Sequence, residues 1–405
     1  MTVVLPARRD ARRDDLLRRA APPRAPMLVW AAIFLNVLAF SGMPTLVPIP
    51  GSLGQLVTQG SLVVAMVLAL LVNPGMVVRP NLVLVLLSML AVVALVVSLH
   101  NEYLLGSTFR ACRLIAFTCV LWLLTPWWGR SDLPLLRWHL TCLRVIVGSV
   151  LVGAVLAPGS AFSFEGRLSG ALWPIPPTQV GHYAAVLLGC TVVLWFGGVV
   201  SGRTLAVTVL AAGGALVLCH TRTALLAIAV GLTLAGASMF LGHARVRRAS
   251  ALVGVLAVLG ATAFAPWLLD WFWRGQSAQD AAQLTGRTKV WTAVFAMDRP
   301  RLEELFGSGL SNKSFQGLPI DSHWVATYLD QGWFGVFVSL AFLLVLLLLA
   351  FTHPRGVRRA VALFLIGYCA VASVSETGLG DASPYLLDLF VAASLLAVPS
   401  GRTQT

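Results

Sequence analysis

Residues 204–241 read TLAVTVLAAGGALVLCHTRTALLAIAVGLTLAGASMFL. The run is apolar except at Cys219-His220-Thr221-Arg222-Thr223. A bilayer-crossing helix takes about 20 apolar residues. The run therefore holds two crossings, which fit only if the chain turns at this polar break. Arg222 then sits at the membrane edge or slightly within it. An arginine at a helix centre costs about 2.5–3.5 kcal/mol on insertion, and less near the edge. Such a residue calls for a partner. It holds an anionic ligand, snorkels to lipid headgroups, or pairs with Glu376, Asp381 or Asp388.

The same texture extends along the whole chain. Of 405 residues, 58% are hydrophobic and 11% charged, against roughly a quarter charged in a soluble domain. The sequence predicts an all-α polytopic membrane protein. Crossings are expected near 27–42, 59–73, 81–99, 109–126, 138–157, 178–198, 204–219, 223–241, 249–266, 333–352, 359–375 and 384–399, about twelve in all. The net charge of +13 comes from 27 Arg and 2 Lys, mostly between apolar runs, and does not point to nucleic acid. The six cysteines lie in or beside apolar segments and form no C-x-x-C pair. They read as small buried hydrophobes, with neither a disulfide framework nor a zinc site expected.

Residues 1–26 carry seven Arg and three Asp and read as a disordered basic cytoplasmic tail. Placing that tail inside puts at least one Arg in every inner loop, from Arg79 through Arg130, Arg203 and Arg245 to Arg355 and Arg402. Both termini are then cytoplasmic. The chain divides into the tail, crossings one to nine over 27–266, an outer loop over 267–332, crossings ten to twelve over 333–399, and a short cytoplasmic tail over 400–405. The outer loop has an organisation of its own. A capping box at Ser277–Asp280 opens a helix to about Met297, with a break at Gly286 and a stop at Arg299-Pro300. A Gly/Ser/Asn stretch follows, and Asp321 or Ser322 caps a second short helix closed by Gly332.

Positive charge collects where orientation should thin it. The outer face holds Arg167, Arg222, Arg274, Arg287, Lys289, Arg299, Arg301 and Lys313, with Arg110 and Arg113 at the outer end of the fourth crossing. An anionic substrate is the simplest reason. Arg287 and Trp291 are four residues apart and share a helix face, where a guanidinium beside an indole can hold a phosphate and stack a sugar. A Trp resting on the membrane interface is the alternative. Arg167 either binds the anion or pairs with Glu165. His323, in the first turn of its helix, meets a positive helix end that favours a neutral ring able to take a proton, or else is structural. No D-x-D sequence occurs, so a metal-bound nucleotide sugar is not indicated, and no Walker motif occurs.

These pieces, in order, resemble the bacterial O-antigen ligase and O-antigen polymerase superfamily. The matching residues are Gly166-Arg167-Leu168-Ser169-Gly170, Thr221-Arg222-Thr223-Ala224, Gly286-Arg287 with Trp291, Phe306-Gly307-Ser308-Gly309, and His323 leading to Tyr328 and Gly332. The likeness in order and spacing covers roughly 160–336. The arginine turn usually reads Ser-Arg in that family, where this chain has Thr221, and Trp324 stands where members often carry a polar residue. The resemblance implies a membrane-embedded, inverting, metal-independent glycosyltransferase without cofactor. Its donor is a glycan on a polyprenyl diphosphate at the outer leaflet of the bacterial plasma membrane, and its acceptor another glycan or a lipid. It also implies His323 as the base and Arg222, Arg287 and Arg167 as holders of the diphosphate. Arg110, Arg113, Lys289, Lys313 and Trp291 are accessory candidates. A flippase for the same lipid is the main alternative, and would line a path with charges deep in several helices. A scaffold that binds the lipid without turning it over is the third reading.

Overall fold

The computed structural model describes residues 24–100, 104–130, 132–242, 244–249, 251, 252, 255, 263 and 287–398. Residues 1–23 of the expected 1–26 tail, the expected tail at 400–405, most of the helix near 249–266, Arg274 and the capping box at 277–280 lie outside the described residues, while 24–26 belong to the first helix.

Regular structure among the described residues is helical apart from one small hairpin. The main helices are α1 (Arg24–Val37), α2 (Gly51–Val72), α3 (Leu82–Ser98), α4 (Leu104–Leu123), α5 (Pro134–Leu156), α6 (Pro177–Phe196), α7 (Gly202–Leu218) and α8 (Arg222–Met239). Then come α9 (Arg287–Phe295), α10 (Arg301–Phe306), the antiparallel pair β1 (Ser314–Phe315) and β2 (Leu318–Pro319), α11 (His323–Thr352), α12 (Val357–Ser375) and α13 (Pro384–Leu396). Seven helices, α2, α4, α5, α6, α8, α11 and α12, are long and apolar enough to cross a membrane; α1, α3, α7 and α13 are apolar and shorter. This is an all-α membrane protein. Apart from the segment near 249–266, each stretch expected to cross overlaps one of these helices; most ends move by a few residues, but α2 starts at Gly51 rather than 59 and α11 at His323 rather than 333.

Burial separates inner from outer helices. Every residue of α13 is buried, and α6 and α12 are buried along most of their length, as befits helices that are apolar all round. By contrast α2 leaves Leu56, Val63 and Leu71 exposed, and α8 leaves Leu226 exposed, which suits a lipid-facing surface. Helices α8 and α12 approach closely because glycines face each other. A side chain at Gly231 would meet the Phe364 carbonyl oxygen at 2.7 Å, and one at Gly367 would meet the Gly231 Cα at 3.4 Å.

Helix α13 has 13 residues, about 20 Å of rise against a hydrocarbon core of about 30 Å. The chain before it, 376–383, is irregular and largely buried. Irregular backbone at such depth requires internal partners, and it has them. Ser383 Oγ donates to the Gly378 carbonyl at 2.6 Å and also caps α13 by accepting from the Leu386 amide. Gln331 Nε2 donates to the Gly380 carbonyl at 3.4 Å, and Arg113 donates to the Ala382 carbonyl at 3.5 Å. The segment before α6 is satisfied likewise: Leu168 bonds to the Leu218 carbonyl, Ser169 to that of Ala161, and Ser41 to that of Pro174.

The expected short helix closed by Gly332 takes another form. Gly332 has non-helical angles (φ 63, ψ −165), but the helix resumes at once, so α11 is one kinked element. The kink is where the end of α10 crosses α11. A side chain at Gly332 would meet the Leu305 carbonyl carbon at 2.4 Å, and one at Gly307 (φ 81) would meet the Asp330 carbonyl carbon at 2.2 Å. Helix α10 itself was not anticipated.

Candidate functional site

The polar break at 219–223 is a turn, with α7 ending at Leu218 and α8 opening at Arg222. His220 takes the left-handed conformation (φ 47), which costs of order 1–3 kcal/mol for a non-glycine residue. Contacts from elsewhere hold it there. Thr221 Oγ1 donates to the Pro177 carbonyl at 3.3 Å. Arg167 Nε donates to the Cys219 carbonyl at 3.0 Å, and the Leu168 amide bonds to the Leu218 carbonyl. The 164–168 turn is thereby clamped onto the α7–α8 turn. The local pair foreseen as an alternative is present but loose, with Arg167 Nη1 4.0 Å from an exposed Glu165 carboxylate. Burial lowers the Arg167 pKa, opposed by Cys219, Glu165 and Glu376.

Helix α8 begins beside the end of α12, where Thr223 Oγ1 and Ser375 Oγ lie 2.7 Å apart. The next residue, Glu376, is the C-cap of α12. Burial pushes its carboxyl up to about 7; Asp321 adds to this, while Arg287 and Arg167 oppose it. Arg287 opens α9, and its Nε donates to Asp321 Oδ2 at 3.2 Å. The positive charges of Arg287 and Arg167 both act on Arg222. Thus Arg222 lies within electrostatic reach of both Arg167 and Arg287, each far from it in sequence, and Glu376 lies within reach of the same two.

His323 is the first residue of α11, two beyond Asp321, with Ser322 at the N-cap position. It is only 2% exposed. Thr327 Oγ1 lies 3.1 Å from its Nδ1, and the Trp324 ring meets it edge-on at 5.3 Å. The 376–383 segment roofs it, so that a side chain on Gly380 would come within 3.3 Å of its Cε1.

The accessory candidates part ways. Lys313 is ion-paired with the buried Asp330, whose other oxygen accepts from the Ser311 amide at 3.2 Å. Burial lowers the Lys313 pKa, but Asp330 and Asp381 outweigh that and raise it overall, with Arg110 opposing. The Arg110 charge thus reaches Lys313, and the Lys313 charge reaches His323. Arg113 is engaged elsewhere: it bonds Asn36 and the Ala382 carbonyl. Lys289 lines a shallow depression with Thr288, Thr292 and Ala293. Trp291 packs against the small apolar cluster of Val290, Val294, Ile320, Val325 and Tyr328, so the pairing of its face with Arg287 serves the loop's core. Arg299 is buried and donates to the carbonyls of Tyr328 and Leu329, capping the first limb of α11.

Two features escaped sequence reasoning. Glu376 was weighed only as an ion-pair partner for Arg222. A fully buried cluster, in which Asp388 lies 2.8 Å from His139 Nε2 and 3.3 Å from His182 Nε2, was not foreseen at all. Its one signal was a polar residue early in each of three apolar helices, and nothing in the sequence pairs them. No family model and no curated protein sequence matches the chain.

Proposed function

We propose that the chain is a membrane-embedded glycosyltransferase of the O-antigen ligase and polymerase type. It moves a glycan from a polyprenyl diphosphate carrier to an acceptor hydroxyl at the outer leaflet of the bacterial plasma membrane. In this reading the segment near 249–266 completes twelve crossings, both termini are cytoplasmic, and 287–322 belongs to the outer loop. The observation that carries the proposal is that Arg167 and Arg287 both lie within electrostatic reach of Arg222, with Arg287 paired to Asp321 two residues before the helix that opens with His323.

A cluster of guanidinium groups at a membrane edge suits a diphosphate on a lipid. The bond between the anomeric carbon and the diphosphate oxygen breaks as the acceptor oxygen attacks from the opposite face. Negative charge grows on the leaving oxygen, and fixed arginines in a poorly hydrated corner stabilise it. The acceptor proton goes to His323. Because Gly380 roofs that ring, the acceptor reaches it only when the 376–383 segment lifts. Glu376 tunes the cluster. Ionised, it offsets guanidinium charge; protonated, it frees that charge for the donor.

The test is transfer in membranes supplied with lipid-linked glycan. Arg222→Ala, Arg287→Ala and His323→Ala should each lose roughly a hundredfold or more in rate, with unchanged amounts of protein in the membrane. Full activity in both arginine variants would refute the site. Long lipid-linked chains accumulating in a deletion strain would mark a ligase, and single repeat units a polymerase.

The His139–Asp388–His182 cluster favours a second reading. Ionisable groups deep among apolar helices are what a transporter carries. Purified protein that moves lipid-linked glycan between leaflets without forming a glycosidic bond would establish it.

A further inference from the structure

Asp388 on α13, His139 on α5 and His182 on α6 are each no more than 1% exposed. The two imidazole Nε2 atoms lie at ion-pair distance from one carboxylate oxygen each, 2.8 and 3.3 Å, without hydrogen-bond alignment. Tyr368 Oη on α12 lies 3.3 Å from His182 Nδ1, and the Tyr385 ring on α13 sits 4.1 Å from the His182 ring. From α1, Phe34 and Trp30 flank His139 with ring centroids at 5.3 and 6.0 Å. The other titratable groups within electrostatic reach of Asp388 are Cys190 and Tyr183 on α6 and Cys369 on α12. All of these are uncharged in their ordinary forms, and the ion pairs of Asp388 among the described residues are with the two imidazoles alone. The three groups do not form a metal centre: among the described residues no group of His, Cys, Asp and Glu is arranged to hold a metal ion.

The proton count follows from donors and acceptors. A carboxylate only accepts. Tyr368 Oη and His182 Nδ1 are partners at 3.3 Å, and with the hydroxyl as donor the ring's own proton is on Nε2, toward Asp388. His182 is then neutral, and the carboxylate charge is still uncompensated. A lone charge in the bilayer interior is the costly case. The nearer imidazole, His139, is left to carry the balancing proton, beside aromatic rings that favour a cation.

We propose that His139, Asp388 and His182 form an intramembrane proton-binding site, holding one proton as a His139 imidazolium paired with the Asp388 carboxylate. The pair joins α13 to α5. Because α13 follows the 376–383 segment that covers His323, the site also anchors that roof from below. The inference does not depend on the reaction proposed above.

Full-length protein with isotope-labelled histidine, reconstituted in lipid nanodiscs at neutral pH, tests this by solid-state NMR of the ring nitrogens, with His139→Gln assigning the signal. The expected spectrum has His139 doubly protonated and His182 carrying its proton on Nε2. Asp388→Asn, which keeps the shape and hydrogen-bonding capacity, should turn His139 neutral and lower the melting temperature. A neutral His139 in the unsubstituted protein overturns the proposal, whether the carboxyl is protonated or bare. That spectrum decides the matter even if Asp388→Asn fails to fold.

Discussion

At the scale of single residues, the carboxyl of Glu376 makes the sharpest demand. Burial first, and Asp321 after it, push its pKa from 4.5 to about 7 against the pull of Arg287 and Arg167. Between those two values the folded chain holds a proton that the unfolded chain has released. This group's contribution to stability is therefore largest at low pH and declines as pH rises through the window. The same titration governs the arginines. Below about pH 7 Glu376 is neutral and the cluster carries its full positive charge; above it, one negative charge is returned. We predict that KM for the lipid-linked donor rises as pH increases through 7, and that Glu376→Gln removes this rise. A KM in the unsubstituted protein that does not change across that window would take Glu376 out of the site. Lysines differ in the same way. Lys313→Met strands the buried Asp330 carboxylate and should lower thermal stability clearly, whereas Lys289→Met, in a shallow depression, should leave it within about 0.5 kcal/mol. Arg167, Arg222 and Arg287 were legible because charge in so apolar a chain is conspicuous. Glu376 was not, since what surrounds it comes from residues near 167, 287 and 321.

At the scale of elements, the crossing of α10 with the kink of α11 sets the position of His323. Gly332 (φ 63, ψ −165) and Gly307 (φ 81, ψ −178) both lie in a region open essentially to glycine alone. Each also leaves no room for a Cβ against the other segment's backbone. Gly332→Ala should therefore cost at least about 1–3 kcal/mol from backbone strain, with the steric clash added. A melting curve of the purified variant in detergent measures it, and an unchanged midpoint would mean that the crossing relaxes freely. From sequence alone Gly332 is a helix stop, and its angles do break the helix. What local signals cannot convey is that the chain re-enters a helix immediately, because the reason is the neighbouring segment at 305–307. Helix α10 had readable signals, with Pro300 before it and Glu303 and Glu304 in its first turn. It buries no residue, so no apolar periodicity marked it.

At the scale of the whole molecule, the apolar helices were legible because a bilayer demands long apolar runs and the turns between them are polar. That α13 is buried all round, with a buried irregular approach, was harder to see, since its apolar run looks like any other. Which end of the bundle faces outward rests on the arginine pattern of the loops, and that pattern makes a strict prediction. Alkaline phosphatase, active only outside the cytosol, should be active when inserted between 311 and 317 and inactive between 353 and 356 or between 198 and 201. The arginine-rich 244–249 segment, whose Arg247 donates to the carbonyls of Phe240 and Leu241 just past α8, adds a second arm. If the segment near 249–266 crosses, insertions near 245 and near 299 must give opposite results; equal results would remove a crossing and shift the register of everything after it. Activity at 353–356 with silence at 311–317 would place Arg167, Arg222, Arg287 and His323 on the cytosolic side. An acceptor and donor at the outer leaflet would then have no access to them, and transfer at that face would be excluded regardless of how any single-residue variant behaved.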